Sequence, residues 1–246
     1  MLSQPVIVIP SRLASVRLER KPLALIDNQP MIVQVLRRAL ESKIGPVLVA
    51  CCSLEIADIV HSEGGNAVLT DPHLPKGTDR VWAAIKNYNF NYKPKIIINL
   101  QGDLPNINPE SLKAVLEPLE NPQVDIGTIA SVILDPTQTT DNNVVKIALA
   151  KEKETQGRAL YFSRNPIPYG SDITYHHIGV YAYRYEALKK YVSLPISPLE
   201  TAEQLEQLRA LEAGMRIDVR LIDTLPHSVD TPEELEAVRK WFSLQK

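Results

Sequence analysis

The stretch of sequence that decides the fold is Val6-Ile7-Val8-Ile9-Pro10-Ser11-Arg12, a continuous β-branched run that ends in a polar turn. A run without polar interruption predicts a strand that is buried on both faces, as in a parallel sheet. Apolar residues then recur three and four positions apart over Met31–Lys43, which predicts an amphipathic helix. A strand followed by a helix is the unit from which parallel sheets are built.

The alternation of strand and helix continues along the first half of the chain. Further strands are predicted at Val47–Cys52, Ala67–Leu69, Ile96–Leu100 and Asp125–Val132. Further helices are predicted at Leu54–Glu63, after Thr78 as N-cap, and from Asn108-Pro109, where Pro suits the first turn. This order predicts a mostly parallel central sheet flanked by helices.

The second half of the chain is less regular. Its predicted strands are Val144–Leu149, Ile178–Tyr183 and Arg216–Ile222, and a polar, Pro-rich excursion that includes Tyr161–Tyr169 separates the first two. Capping-box patterns at Ser197–Glu200 and Thr231–Glu234 open two helices, the first of which should end at Gly214. Because no repeat or low-complexity linker interrupts the chain, we predict one α/β domain with an inserted subregion.

The composition is that of an ordinary globular protein and excludes several classes. The 246 residues carry 27 basic and 29 acidic side chains, a net charge of −2, which is too balanced for a general nucleic-acid binder. The longest apolar run, Val47–Cys52, is far too short to span a membrane, and the sequence begins without a signal-peptide pattern. The adjacent Cys51 and Cys52 are no disulfide framework. We therefore expect a soluble, cytoplasmic protein.

The loop after the first strand is rich in cations: Arg12, Arg17, Arg20 and Lys21. Ligands of open α/β sheets bind outside the carboxyl ends of the strands, and cations placed there can hold a polyphosphate. The loop matches neither the G-x-G-x-x-G nor the G-x-x-x-x-G-K-[ST] fingerprint, which disfavours a NAD-dependent oxidoreductase and a P-loop protein. From charge alone, a solvated basic loop remains the alternative.

Two aspartates are candidate metal ligands. Asp103 lies in a Gly-Asp turn after the Ile96–Leu100 strand, where a carboxylate can meet a divalent metal that holds phosphate oxygens. The alternative is a turn in which Asp103 bonds its own backbone. Asp230 precedes a helix and could be its N-cap, but the Thr231–Glu234 capping box can serve that helix end and leave the Asp230 carboxylate free.

A series of short motifs runs in order along nearly the whole chain. They include Ile9-Pro10-Ser11-Arg12 with Ser15, Arg17 and Lys21-Pro22-Leu23, Gly77-Thr78-Asp79-Arg80, Gln101-Gly102-Asp103, Tyr161-Phe162-Ser163-Arg164, His177-Ile178-Gly179-Val180-Tyr181, Leu205-Glu206-Gln207-Leu208-Arg209 and Val229-Asp230-Thr231-Pro232. Each motif is weak alone, but the ordered set resembles the 3-deoxy-manno-octulosonate cytidylyltransferase family. The resemblance implies a single-domain, Rossmann-like nucleotidyltransferase fold over residues 1–246. Its nucleotide-binding part would span about 1–133, its sugar-binding and dimer subregion about 134–225, and its C-terminal metal-ligand segment 226–246.

Enzymes of this family transfer CMP from CTP to the anomeric hydroxyl of 3-deoxy-D-manno-octulosonate (Kdo), an eight-carbon acidic sugar used in lipopolysaccharide synthesis, and release pyrophosphate. The resemblance implies that Arg12, Lys21 and Asp103 are catalytic, with Arg12 and Lys21 on the triphosphate and Arg17 as a helper. It implies that Asp103 and Asp230 bind Mg²⁺. The implied substrate-binding residues are Pro10, Ser11, Ser15, Arg17, Thr78, Arg80, Gln101, His177, Tyr181, Glu206 and Gln207. Among them, those that line the sugar pocket are Arg80, Gln101, His177 and Gln207.

The resemblance also implies a homodimer whose contact region includes Tyr161–Tyr169, a segment with aromatic residues and arginine. It implies a preference for CTP over UTP, which we expect to be at least about tenfold. The chain departs from the family pattern at two places. The family often has Glu at the position of Leu104, and Ala-Thr-Asp at the positions of Ala50-Cys51-Cys52. We interpret Cys51 and Cys52 as two small, buried apolar residues. The alternatives are a cytidylyltransferase for another acidic sugar, such as 8-amino-Kdo or a sialic acid, and a non-catalytic nucleotide-binding homologue.

Overall fold

The computed structural model describes residues 5–14 and 17–245. Contacts within the chain define two compact units, of which the first comprises Met1–Leu112 and Pro226–Lys246 and the second Lys113–Leu225. The chain thus leaves the first unit at Leu112 and returns to it at Pro226. Ser15, which the resemblance places in the substrate-binding set, lies outside the described residues.

The first unit is a parallel sheet with helices. Its elements in chain order are β1 (Val6–Ser11), β2 (Leu25–Ile26), β3 (Gln29–Pro30), α1 (Met31–Glu41), β4 (Val47–Cys51), α2 (Leu54–Ser62), β5 (Asn66–Leu69), α3 (Gly77–Asn87), β6 (Ile96–Leu100) and α4 (Pro109–Ala114), in which the unit ends. The strand order is β5-β4-β1-β6 with parallel pairing throughout, while β2 and β3 form a separate hairpin. Strands β1, β4 and β6 are buried at every residue, as their largely apolar sequences predict.

The register of these strands fixes which residues share the carboxyl edge of the sheet. Ser11, the last residue of β1, lies beside Cys51, the last residue of β4, and Cys51 lies beside Leu69, the last residue of β5. Val8 of β1 pairs with Asn99 of β6. Loops that leave these strands therefore begin along one edge, which is where open α/β sheets bind ligands.

The second unit has a mixed sheet. Its elements are β7 (Ile126–Val132), α5 (Pro136–Thr140), β8 (Lys146–Lys153), β9 (Gln156–Ser163), β10 (Tyr175–Arg184), α6 (Tyr185–Ser193), α7 (Pro198–Glu203), α8 (Gln207–Glu212) and β11 (Ile217–Leu221). The strand order is β10-β7-β11-β9-β8, in which β7 and β11 are parallel and the other neighbours antiparallel. The predicted α/β class is confirmed, and the antiparallel strands are concentrated in this unit.

The C-terminal segment completes the first unit with α9 (Pro232–Ser243). The apolar face of this helix packs on the β2–β3 hairpin and α1 in one buried cluster made of Ile26, Met31, Val229, Leu235, Val238 and Phe242. Burial of these side chains anchors the segment that carries Asp230. Among the described residues, no helix combines the length and the apolar character needed to cross a membrane.

Three local predictions were wrong. Thr78 is not an N-cap: Lys76 holds that position, and Thr78 lies in the first turn of α3. The polar excursion does not include residues 161–163, because they belong to β9, whose burial alternates as in a hairpin strand with one face in the core. The helix that opens at Ser197 does not run to Gly214, because Gln204 adopts the left-handed conformation (φ 55°) and separates α7 from α8.

Candidate active site

An ammonium group lies between two carboxylates in the first unit. The Lys21 Nζ is 2.9 Å from Asp103 Oδ2 and 2.9 Å from Asp230 Oδ1. Arg17 adds a second cation, with its Nη2 2.8 Å from Asp230 Oδ2. The structure therefore brings together four of the predicted site residues from three separate segments of the chain. Arg12, the other predicted phosphate-binding cation, is exposed just after β1.

The backbone before Lys21 is held in an unusual conformation. Arg20 adopts left-handed torsion angles (φ 50°, ψ 34°), and a 3-10 turn over Lys21–Leu23 follows, with Pro22 in its first turn. This conformation costs a non-glycine residue about 1–2 kcal/mol and persists where the surroundings hold it. The Arg20 guanidinium forms an exposed ion pair with Glu55 on α2. The Lys21 side chain that follows is directed at the two carboxylates.

Backbone contacts bring the two aspartates together. The Val229 N–H donates to the Asp103 carbonyl oxygen (3.0 Å), and the His227 N–H donates to Asn106 Oδ1 (2.9 Å). The turn before Asp103 also runs close to β1, because a Cβ on Gly102 would lie 3.0 Å from the Pro10 carbonyl oxygen. A residue with a side chain would push this turn outward. Asp103 and Asp230 thus meet because their loops are bonded to each other.

The predicted capping box at the start of α9 is confirmed. The Thr231 side chain accepts from the Glu234 N–H, and Glu234 Oε2 accepts from the backbone N–H groups of Thr231 and Asp230. The helix end is therefore served by Thr231 and Glu234. The Asp230 carboxylate takes no part in this cap and faces Lys21 and Arg17.

Burial and charge act in opposite directions on these groups. Burial lowers the pKa of Lys21, but Asp103 and Asp230 outweigh that effect, so the pKa of Lys21 lies above its ordinary value. Burial likewise raises the pKa of Asp230, but Lys21 and Arg17 outweigh it, so the pKa of Asp230 lies below its ordinary value. Both groups are therefore charged at neutral pH.

The two carboxylates fit a Mg²⁺ site that is completed by a substrate. Within residues 5–14 and 17–245, no group of three or more histidine, cysteine or acidic side chains could hold a metal. Mg²⁺, however, is commonly bound by one or two carboxylates and takes its remaining ligands from water and phosphate oxygens. The Lys21 ammonium contacts both carboxylates, so the loops of Asp103 and Asp230 already bind one cation between them.

A chain of polar side chains runs along the carboxyl edge of the sheet. Gln101 Nε2 donates to Asn99 Oδ1 (3.0 Å), and Asn99 Nδ2 donates to Thr78 Oγ1 (3.3 Å). Asn99 is fully buried within β6 and fixes the orientation of two predicted substrate-binding residues. Sequence reasoning missed this role, although an asparagine in the run Ile96-Ile97-Ile98-Asn99-Leu100 was the available signal. Arg80 is also buried at this edge, where it donates to Thr70.

In the second unit, the predicted residue His177 is a buried, neutral histidine. Its Nε2 lies 3.1 Å from Thr128 Oγ1, and the Thr128 hydroxyl donates to the Val180 carbonyl oxygen (2.8 Å). Because a hydroxyl has one hydrogen, the His177 Nε2 must be the donor to Thr128. Burial lowers the pKa of His177 to about 3. Two aromatic rings pack on the His177 imidazole, with ring-centroid distances of 5.3 Å for Tyr181 and 5.0 Å for Phe162.

The predicted residues Glu206 and Gln207 lie where α8 begins. Glu206 is the N-cap residue, and Gln207 is buried as the first helical residue. A bidentate ion pair holds this region, since Arg209 Nε and Nη2 donate to Glu200 Oε2 (2.7 Å) and Oε1 (2.6 Å), and both residues are buried. The Tyr191 hydroxyl donates to the Glu206 carbonyl oxygen at 3.0 Å. These contacts orient the start of α8, a support that the sequence did not reveal.

The two departures from the family pattern have a simple structural basis. Leu104 is 4% exposed and belongs to the apolar core. This chain therefore has a core side chain at the position where the family often has a glutamate. Cys51 is fully buried at the end of β4, and burial raises the pKa of its thiol. A buried thiol with a raised pKa is a small apolar side chain in practice. Cys52 is only half-buried, so the prediction of two buried residues is correct for Cys51 and wrong for Cys52.

Solved structures with the same fold show the structural class of this chain. A cytidylyltransferase from Leptospira borgpetersenii has the same fold, with a TM-score of 0.64 at 16% identity over 98% of this chain and 87% of that chain. A CMP:2-keto-3-deoxy-manno-octonic acid synthetase complexed with CTP matches with a TM-score of 0.90 and 35% identity, and covers 99% of this chain and 100% of that chain. The fold is therefore that of the nucleotidyltransferases.

The sequence then defines the family. A cytidylyltransferase family model matches residues 6–217. The 3-deoxy-manno-octulosonate cytidylyltransferase of Paramagnetospirillum magneticum is 49% identical over 236 residues, which cover 96% of each chain. The chain belongs to the 3-deoxy-manno-octulosonate cytidylyltransferase family, as its ordered motifs predicted.

Proposed function

We propose that this chain transfers CMP from CTP to the anomeric hydroxyl of Kdo, gives CMP-Kdo and pyrophosphate, and so activates the sugar for lipopolysaccharide synthesis. The observation that carries the proposal is the Lys21 ammonium between the Asp103 and Asp230 carboxylates in a member of this family. A non-catalytic nucleotide-binding homologue would have no need to retain all three groups in contact.

The reaction is an in-line displacement at the α-phosphorus of CTP. The anomeric oxygen of the sugar forms a bond to that phosphorus, the bond to the bridging oxygen of the β-phosphate breaks, and pyrophosphate leaves with the electron pair. The hydroxyl proton passes to solvent. Positioning and neutralisation of phosphate charge supply most of the catalysis in such transfers. Lys21, Arg17 and the exposed Arg12 are the cations that this chain offers to the triphosphate.

We propose that the activity depends on Mg²⁺ held by Asp103 and Asp230. When bound, a divalent metal neutralises phosphate charge and lowers the pKa of the attacking hydroxyl. The contribution of the chain is a pair of ionised carboxylates kept together by the bonded loops around Val229 and Asn106. Because Lys21 contacts both carboxylates, its side chain must share them with the metal or turn toward the triphosphate.

For the sugar, we propose that His177, Tyr181 and Gln207 of the second unit contribute contacts, as the resemblance implies. His177 acts as a neutral hydrogen-bonding group, since its pKa is about 3 and its Nε2 hydrogen is engaged by Thr128. Its proposed part is therefore to position the substrate, since burial disfavours the charged imidazolium that a proton transfer would require.

Pyrophosphate release from CTP tests the proposal. We expect release only when CTP, Kdo and Mg²⁺ are all present, and much slower release when 8-amino-Kdo or a sialic acid replaces Kdo. Faster turnover with one of those sugars would assign the chain to a different acidic sugar. CTP binding without turnover on any sugar of the panel would make it a nucleotide-binding homologue.

We propose further that the chain is a homodimer. Support comes from large apolar side chains of the second unit that are exposed in the single chain, Leu134 at 89%, Leu160 at 57% and Tyr169 at 104%. Phe162, by contrast, is buried within its own unit and is not available for a partner. Light scattering at micromolar concentration is expected to give twice the mass of one chain, and Leu160→Glu to shift it toward the monomer. A monomeric wild-type chain would contradict this.

A further inference from the structure

A β-bulge interrupts β10 next to His177. Strand β10 pairs regularly with β7 up to Ile178, and the pairing resumes at Tyr181, which lies opposite Thr128. The residues between them, Gly179-Val180, have no counterpart on β7 and form the bulge. Bulges of this kind re-aim side chains and are common beside active sites.

The bulge brings together two residues of the proposed sugar site. Cα atoms four residues apart on a regular strand are separated by about 13 Å. His177 and Tyr181 are four residues apart, yet the residues opposite them on β7, Ala130 and Thr128, are only two positions apart. The rings of His177 and Tyr181 are therefore close, with centroids 5.3 Å from each other.

The hydroxyl of Thr128, which is fully buried, joins the bulge to the imidazole. Its Oγ1 lies 2.8 Å from the Val180 carbonyl oxygen and 3.1 Å from His177 Nε2. Two oxygens at 2.8 Å must share a hydrogen, and a carbonyl has none to give, so the hydroxyl hydrogen points at Val180. The Oγ1 lone pair then accepts from the Nε2–H group of His177.

This bond determines the chemistry of the other ring nitrogen, Nδ1. Burial lowers the pKa of His177 to about 3, so the neutral ring carries one hydrogen, on Nε2, and Nδ1 accepts hydrogen bonds only. Among the residues that the structure describes, Nδ1 of His177 has no hydrogen-bond partner. Nδ1 of the neighbouring His176 is enclosed and unpaired, whereas Nδ1 of His177 is not.

We infer that Thr128 is a positioning residue for the sugar: its hydroxyl holds the bulge and fixes the tautomer in which His177 Nδ1 accepts a hydrogen bond from a hydroxyl of Kdo. This rests on the proposed function, which makes Kdo the substrate. An ionised carboxylate offers no hydrogen, so Nδ1 selects a hydroxyl of the sugar and leaves the carboxylate to other groups.

Thr128→Val tests the inference, because valine keeps the shape of threonine and removes the hydroxyl. The KM for Kdo is expected to rise about tenfold, as for the loss of one hydrogen bond, with the KM for CTP unchanged. Thr128→Ser keeps a hydroxyl and should restore most of the wild-type KM. Ser42→Ala, which removes a buried hydroxyl bonded to the Ala39 carbonyl oxygen in the first unit, is the control and should leave both KM values unchanged.

Monodeoxy analogues of Kdo identify the hydroxyl that is bound. In the wild type, the analogue that lacks this hydroxyl should have a KM roughly tenfold above that of Kdo. In Thr128→Val the ratio should fall toward one, because the residue and the hydroxyl act through the same bond. Ratios that are the same in both chains for every monodeoxy analogue would overturn the inference.

The tautomer of His177 can be measured without turnover. In nitrogen-15 NMR of the full chain with labelled histidine, the His177 signals are those absent from His177→Asn, and wild-type Nδ1 is expected to be unprotonated. A wild-type ring with its hydrogen on Nδ1 would overturn the inference even if Thr128→Val fails to fold. In a folded Thr128→Val chain, the hydrogen should be shared between the two nitrogens.

The outcomes separate this inference from the proposed function. Turnover of Kdo with an unchanged KM in folded Thr128→Val would overturn the inference and leave the proposed function intact. The expected tautomer in a wild-type chain that releases no pyrophosphate with Kdo would contradict the proposed function, and with it Kdo as the partner of Nδ1.

Discussion

The Lys21 ammonium and the Asp230 carboxylate lie 2.9 Å apart, although 209 positions separate the two residues in the sequence. Asp103 shares the same ammonium at 2.9 Å. Without that charge the two carboxylates would face each other partly out of water, where like charges repel and resist ionisation. Lys21 therefore stabilises the two carboxylates before any substrate binds, and we propose that a divalent cation can replace it in that role.

We predict that Lys21→Met makes the stability of the protein depend on Mg²⁺. In excess chelator, its Tm should fall by a few degrees, roughly 2–4 °C for each kcal/mol lost in a chain of this size. Mg²⁺ should restore much of that loss, because it neutralises the same carboxylates, and the shift should exceed the one that Mg²⁺ gives the wild type. Differential scanning calorimetry with chelator and with Mg²⁺ measures both shifts.

The control for this prediction is Arg20→Ala, which removes an exposed ion pair with Glu55 from the same loop. Exposed pairs contribute about 0–1 kcal/mol, so neither a large loss nor a larger response to Mg²⁺ is expected. Mg²⁺ shifts that are the same in Lys21→Met and wild type would show that the metal does not share the Lys21 position.

We predict that Lys21→Ala lowers kcat by about 10²–10³-fold, the usual effect of removing one group that meets developing charge. The expected change lies in kcat more than in KM for CTP, because the charge on the phosphates grows as the transition state forms. Steady-state pyrophosphate release at saturating Kdo measures it. A normal rate would contradict this role and would indicate that the basic loop is only a solvated surface loop.

We predict that Asp103→Asn and Asp230→Asn each lower kcat by orders of magnitude while the fold persists, since a metal supplies several kcal/mol of charge stabilisation. Excess chelator should abolish wild-type turnover. Asp58→Asn, an exposed carboxylate on α2, is the matched control and should retain wild-type activity. Circular dichroism checks the fold, and full activity of either site variant or of the chelated enzyme would contradict Mg²⁺ dependence.

We predict that Arg209→Met is strongly destabilising. It leaves the 2% exposed Glu200 without its bidentate partner, and breaking a buried pair on one side costs about 3–5 kcal/mol. Urea unfolding measures the loss, and Glu41→Gln, which removes an exposed pair with Arg38, should stay within about 1 kcal/mol of wild type. Because the pair supports the start of α8, surviving Arg209→Met enzyme should show a raised KM for Kdo with an unchanged KM for CTP.

Much of the first unit could be predicted from sequence because its signals are local. Buried strands are continuous apolar runs, as in β1 and β4, and the Thr231–Glu234 capping box is complete within four consecutive residues. The break between α7 and α8 could not be predicted, because the residue in the left-handed conformation is Gln204, whereas helices usually end in this way at glycine. Strand β9 of the β8–β9 hairpin was not predicted, because exposed residues alternate with buried ones along it and its sequence is therefore partly polar.

The sequence singles out the candidate site residues one by one, but it does not show which of them are in contact. Arg12, Lys21, Asp103 and Asp230 stand out from motif and position, whereas the shared ammonium depends on loops far apart in the sequence. The same holds for Thr128, whose bond to His177 depends on the bulge between β7 and β10. Pairwise geometry of this kind is set by tertiary packing, which no local pattern encodes.

The final prediction concerns the pH dependence of stability. Burial lowers the pKa of His177 to about 3 and that of its neighbour His176 to about 4, from an ordinary 6.5. Between pH 6.5 and those values, the unfolded chain binds protons that the folded chain does not, so the free energy of unfolding must fall as the pH falls through this window. Each histidine contributes at most about 1.4 kcal/mol per pH unit.

Urea unfolding at several pH values between 6.5 and 4.5 measures the slope, which His177→Asn should reduce relative to wild type. Carboxylates also titrate toward the lower end of this range, so the difference between the two chains, and not the absolute slope, carries the test. His73→Asn, which alters an exposed histidine, is the matched control and should leave the slope unchanged. A His177→Asn chain with the wild-type slope would mean that the folded protein protonates this imidazole, against its place among Thr128, Phe162 and Tyr181.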